Sequence, residues 1–114
     1  MEDLKDFMLL FRMDIPVEQP TPQQIGEMQR GWGGWIGGIA VQAKLVSTNH
    51  LGFDGREIDP GKVVSNGPNK VGTKTISGYV VLKATDMDEA TAIAMDCPIL
   101  AAGGSVEVRD TIPL

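Results

Sequence analysis

The chain has 114 residues, 42% of them hydrophobic and 22% charged, a balance that fits one globular domain and excludes a wholly disordered chain. Acidic residues exceed basic ones, 15 to 10, for a net charge of −5; there is no global pull toward phosphate backbones, so nucleic-acid binding by charge is not expected. No apolar run approaches the ~18 residues of a membrane span, and one histidine with one cysteine cannot build a closed zinc cage.

No metal or cofactor is therefore expected. The opening Met1-Glu2-Asp3-Leu4-Lys5-Asp6 is acidic and lacks the apolar core of a secretory signal. Cys97 has no second cysteine to pair with. A reducing, cytoplasmic location is the expectation.

Along the chain, Phe7-Met8-Leu9-Leu10-Phe11 is short and apolar at consecutive positions, which predicts a strand covered on both faces. Asp14, Pro16 and Pro20 break the chain into a loop. Thr21-Pro22-Gln23-Gln24 then opens a helix, with Thr21 as cap, Pro22 in the first turn and Gln24 closing a capping box. Ile25, Met28, Trp32, Trp35, Ile36, Ile39, Ala40 and Ala43 follow at helical spacing and form one apolar stripe. Gly31, Gly33, Gly34, Gly37 and Gly38 lie within this helix, each costing about 1 kcal/mol against alanine. Close backbone packing is expected to offset that cost, or the helix breaks near Gly37-Gly38. No phosphate-loop register fits these glycines.

Val46 to Phe53 has strand composition, and Asp54-Gly55 is a turn pair before a short return strand at Arg56-Glu57-Ile58. Pro60-Gly61 and Asn66-Gly67-Pro68-Asn69 are further turns. Thr73 to Lys83 is a strand, Asp86-Met87-Asp88-Glu89 a second capping box, and the short helix that follows ends at Cys97-Pro98. Ser105 to Arg109 alternates with period two, as a strand with one open face does. The resulting β-α-β-β-α-β order predicts an α+β, ferredoxin-like protomer with both helices on one face of an antiparallel sheet. The doubly apolar first strand then asks for a cover on the other face, and a second copy of the chain is the expected one, giving a homodimer.

Several residues could carry chemistry. His50 alone is of a type that titrates near neutrality, and a turn at Asp54-Gly55 would let Asp54 approach it as the acid of an acid–base pair; otherwise His50 is a strand histidine beside a turn aspartate. Arg12 could hold a substrate carboxylate or sit in a salt bridge at the strand end. Trp32, Trp35 and Tyr79 could line an aromatic pocket for a small organic ligand, or belong to the core. Asn66 could present an amide at a pocket mouth, or serve a plain turn. Met8, Met28, Met87 and Met95 read as core filler, and Cys97 as a buried, inert thiol.

Taken together, Phe7 to Arg12, Thr21-Pro22 with Trp32 and Trp35, Gly78-Tyr79-Val80-Val81, Asp88-Glu89-Ala90, Cys97-Pro98-Ile99-Leu100 and Gly103 to Arg109 with Ile112-Pro113-Leu114 resemble the YCII-related family, and within it the DGPF-type branch. The resemblance covers nearly the whole chain. It implies a dimeric α/β barrel of ferredoxin-like protomers. Most DGPF-type members have no assigned reaction, and some are encoded near or fused to sigma-factor-type regulators. YCII relatives include small-molecule enzymes that use a His and an Asp. Here the signature reads Asn66-Gly67-Pro68-Asn69, and the helix start where that His is expected reads Pro22-Gln23-Gln24-Ile25. Neither member of the acid–base pair carries across. The expected functions, in order, are a small-molecule-binding or regulatory accessory module, a YCII-like enzyme on a small organic acid or lactone using His50, Asp54 and Arg12, and a dimerisation domain without ligand.

Overall fold

The computed structural model describes residues 3–114; Met1 and Glu2, the start of the acidic opening read above as no secretory signal, lie outside the described residues. In chain order the elements are β1 (Lys5–Asp14), α1 (Pro22–Val41), β2 (Leu45–His50), β3 (Arg56–Ile58), β4 (Val64–Asn66), β5 (Lys74–Ala84), α2 (Met87–Ala94), α3 (Pro98–Ala101) and β6 (Ser105–Asp110). Four strands form an antiparallel sheet in the order β2-β5-β1-β6. β3 and β4 pair only with each other, as a hairpin inserted between the second and third strands of the sheet. The fold is α+β, with the β-α-β-β-α-β order read from the sequence. No described helix is long and apolar enough to cross a membrane.

Alternation in β1 sends Phe7, Leu9 and Phe11 to one face, where all three are buried. Val80, Leu82 and Ala84 of β5 meet them there, and Ile39, Ala90, Ala94 and Ile99 from the three helices close the core over this face. Val106 and Val108 of β6 pack against the same cluster, while Ser105 and Arg109 point away, as period two requires. The other face carries Met8 and Leu10 of β1 opposite Val81 and Tyr79 of β5. No helix covers these four, and they are only half-buried.

Helix α1 starts as the sequence indicates. Thr21 accepts the Gln24 N–H at 3.1 Å and its own N–H donates to Gln24 Oε1 at 2.9 Å, a complete capping box. The expected break at Gly37-Gly38 is absent, and α1 runs unbroken to Val41. Of the five glycines only Gly31 is packed, its Cβ position 3.9 Å from Pro98 Cγ of α3; among the described residues, nothing lies within 4 Å of where a Cβ would stand on Gly33, Gly34, Gly37 or Gly38. These glycines therefore make a bare outer helix face. Trp32, Trp35 and Ile39 turn inward and hold the helix down, which is where the compensation for the glycines comes from.

Other local readings need correction. Asp86 caps α2 by accepting the Glu89 N–H at 2.8 Å, but the Glu89 carboxylate turns to Lys44 and Thr85 instead of back to Asp86, so the second box is not reciprocal. Pro98 does not simply end a helix; it opens α3, since a proline fits the first turn. Met28, Met87 and Met95 are exposed, not core filler. The hairpin β3–β4 is exposed at every residue. It contributes to a radius of gyration of 15.7 Å, against about 13 Å for a compact chain of this length.

Candidate functional site

The apolar stripe of α1 is longer than the sheet beneath it. Trp32, Trp35 and Ile39 lie on the core, but Ile25 and Met28 before them are exposed, as are Ala40 and, beyond the helix end, Ala43. Between this overhang, the loop after β1, the end of β2 and α3 lies a cleft of about 760 Å³, within the ~300–1,000 Å³ usual for small-ligand sites. Its walls are mainly apolar: Met13, Ile25, Met28, Trp32, Phe53 and Ile99 all line it. His50, Ser77 and the amides of Gln19, Gln24 and Gln29 are among its polar groups.

A β-bulge shapes the cleft where β5 meets β1. Phe11 pairs with Gly78 and Arg12 with Ile76, leaving Ser77 as the extra residue. Ser77 is 8% exposed; its hydroxyl donates a long hydrogen bond of 3.4 Å to the Phe11 carbonyl, and its own carbonyl accepts the Leu51 N–H at 2.8 Å. Gly78 beside it leaves little room for a side chain. A Cβ there would stand 3.0 Å from the Asn49 carbonyl oxygen and 3.6 Å from His50 Nδ1. The missing side chain lets the end of β2 lie close against β5.

The His50 ring meets Trp32 edge-on, with centroids 5.4 Å apart and planes at 89°. Trp32 in turn packs edge-on against Phe11 at 5.0 Å and Trp35 at 5.8 Å. Trp32 thus links core to cleft. Trp35 belongs to the core side, its indole N–H donating to the Ile93 carbonyl at 3.1 Å.

The remaining sequence candidates lie elsewhere. Asp54 lines a separate hollow of about 370 Å³ with Arg56, Pro68 and Asn69, and makes no hydrogen bond to His50. Arg12 is on the opposite face of the sheet from His50. It donates to Glu107 at 2.6 Å, and Arg109 donates to the same carboxylate at 3.1 Å. The Arg12 guanidinium, and after it that of Arg109, holds the Glu107 carboxyl below its ordinary range. Tyr79 is on Arg12's face as well, its hydroxyl accepting from Asn49 Nδ2 at 2.9 Å. Asn66 ends β4 in the exposed hairpin, paired with Arg56. Of the residues singled out, Trp32 and His50 share the cleft; Arg12, Asp54, Asn66 and Tyr79 do not join them. Cys97 is buried near α3, and desolvation raises its thiol pKa, which keeps it protonated and poorly nucleophilic.

Met13, Met28, Phe53, Ser77 and Ile99 are cleft residues that sequence reasoning did not place there. One signal was available. Ile25, Met28 and Trp32 fall at i, i+3 and i+7 directly after a proline-rich loop, so the stripe begins before a strand is in place to cover it.

The chain matches the model of the YCII-related domain over residues 37–114. That is more than half of its length, and the chain belongs to this family. The match begins inside α1, so β1, the helix start and Trp32 lie before it, while His50, Ser77 and Ile99 fall within it. No curated protein matches the chain.

Proposed function

We propose that this YCII-related protein is a homodimeric small-molecule-binding module of the DGPF-type branch, acting in the cytoplasm as a regulatory accessory without turnover. The observation that carries the reading is the cleft of about 760 Å³, lined by Trp32 and by the exposed His50, with no carboxylate among the described residues hydrogen-bonded to the imidazole. Such a site can hold an apolar ring and offer it a hydrogen bond. It lacks the oriented His–carboxylate pair of an acid–base catalyst. The dimer is supported by the half-buried patch of Met8, Leu10, Tyr79 and Val81, which is bordered by the Arg12–Glu107–Arg109 and Lys83–Asp6 ion pairs. An apolar centre with a polar rim is the usual anatomy of an interface.

A thermal-shift screen against a metabolite collection tests the binding role, since a ligand of the folded state raises Tm. Met28→Trp fills the cleft from an exposed position and should abolish any such shift. Shifts that persist in Met28→Trp would place binding elsewhere. Turnover of a lactone or organic acid that falls ~100-fold in His50→Ala, with Tm unchanged, would establish the enzymatic alternative instead.

A further inference from the structure

The charged groups of the cleft are one-sided. Glu18 and Glu27 line it, and neither a lysine nor an arginine does. Among the described residues, His50 is the one lining side chain able to carry positive charge. Arg12 is on the far face of the sheet and committed to Glu107, and Arg30 of α1, exposed with its Nη1 3.4 Å from where a Cβ would stand on Gly26, does not line the cleft.

A helix start can substitute for a cation by offering free amides to an anion. The start of α1 borders the cleft, but its first turn has little to offer. Pro22 has no N–H, the Gln24 N–H donates to Thr21 Oγ1 at 3.1 Å, and the Ile25 N–H donates to the Thr21 carbonyl at 2.9 Å. Only Gln23 of the first four residues has an N–H not accounted for. An organic acid or phosphate ester entering here would lose its hydration and meet two carboxylates instead of a counter-ion.

From this we infer that the cleft selects a small aromatic amine, its ring held among Trp32, Phe53 and Met28 and its ammonium at the mouth near Glu18 and Glu27. The inference rests on the reading of the cleft as the binding site, and it replaces the organic acid that family resemblance implies. A cation is favoured because the carboxylates at the mouth attract it. Both glutamates are exposed, so screening limits the preference to a modest factor.

The test uses three ligands of one shape, 2-phenylethylamine, 2-phenylethanol and 3-phenylpropionate, titrated against the full chain by saturation-transfer NMR. The amine should bind about five- to tenfold tighter than the acid at low salt, with the alcohol between them. The gap should narrow at high salt and in the Glu18→Gln/Glu27→Gln double variant, whose affinity for the alcohol should stay unchanged. Met28→Trp should remove binding of all three. Acid binding that equals or exceeds amine binding, yet is lost in Met28→Trp, would overturn the amine assignment and leave the cleft standing as the site. Binding of none of the three, or binding indifferent to Met28→Trp, would overturn the assignment and the cleft together.

Discussion

The two faces of the four-stranded sheet are built by the same strands, yet they reach different ends. On one face Leu9, Val80 and Leu82 are fully buried under the helices. On the other, Met8, Leu10, Tyr79 and Val81 stand half-covered beside three ion pairs that involve Arg12, Arg109 and Lys83. A strand alternates its side chains whatever lies above or below. The chain supplies helices enough for one layer only, so the difference lies in cover and not in composition. A covered face contributes to the protomer's own folding. A half-covered face with a charged rim contributes less to the protomer, and under the proposed dimer it would contribute through association.

The largest effect expected is therefore on the covered side. Leu9→Ala should lower the unfolding free energy by about 3 kcal/mol in urea titration, the usual cost of a cavity at a fully buried leucine. Leu10→Lys, one position along, should cost the protomer about 1 kcal/mol. It should instead shift sedimentation from dimer to monomer at micromolar concentration. Equal stability losses at the two positions would show both faces to be equally covered by one chain. A wild-type protein that sediments as a monomer would remove the partner from the comparison.

A smaller effect concerns the outer face of α1, the other unpartnered surface. Gly33→Ala and Gly37→Ala add a methyl group to open space and should each raise stability by about 0.5–1 kcal/mol. Thermal unfolding would show this as a higher Tm for each variant. A loss in place of the gain would mean that another chain packs closely on these glycines in solution.

The smallest effect is that of the ion-paired rim. Arg12 and Arg109 depress the folded-state pKa of Glu107 below its unfolded value. The stabilisation is therefore present above the ordinary glutamate range, near about 4.3, and is lost as pH falls through the lowered folded-state value. Wild-type stability should drop more between about pH 6 and about pH 3 than that of Glu107→Gln. Identical pH profiles would show the pair to be mechanically present but energetically idle, as exposed pairs often are.

Much of the fold was legible because it rests on local rules. Thr21 and Gln24 state where α1 begins, and the apolar run of β1 states that it is a strand inside the sheet, with Phe7, Leu9 and Phe11 buried on one face. The site was less legible because it depends on where elements end relative to one another. That Ile25 and Met28 overhang the sheet follows from the lengths and placement of α1 and β2 together. Ser77 faces the cleft because of a bulge, and nothing in Ile76-Ser77-Gly78 marks the extra residue in advance. The separation of His50 from Arg12 hinges on strand parity across two different strands. Asp54 is four residues from His50 in sequence, but the chain leaves the sheet between them and carries the carboxylate into the neighbouring hollow.

The position of β1 also governs when the molecule can assemble. It is the first of the sheet's strands in chain order and lies inside the sheet, but its neighbours are β5 and β6: Phe7 pairs with Leu82 on one side and with Asp110 on the other. A chain still emerging from the ribosome holds its most apolar strand for most of its synthesis with neither edge paired. Closing such distant contacts is slow because the chain entropy is lost before the contacts reward it. Strand β6 seals the second edge of β1, so residues as far as Asp110 must be synthesised before the sheet is complete.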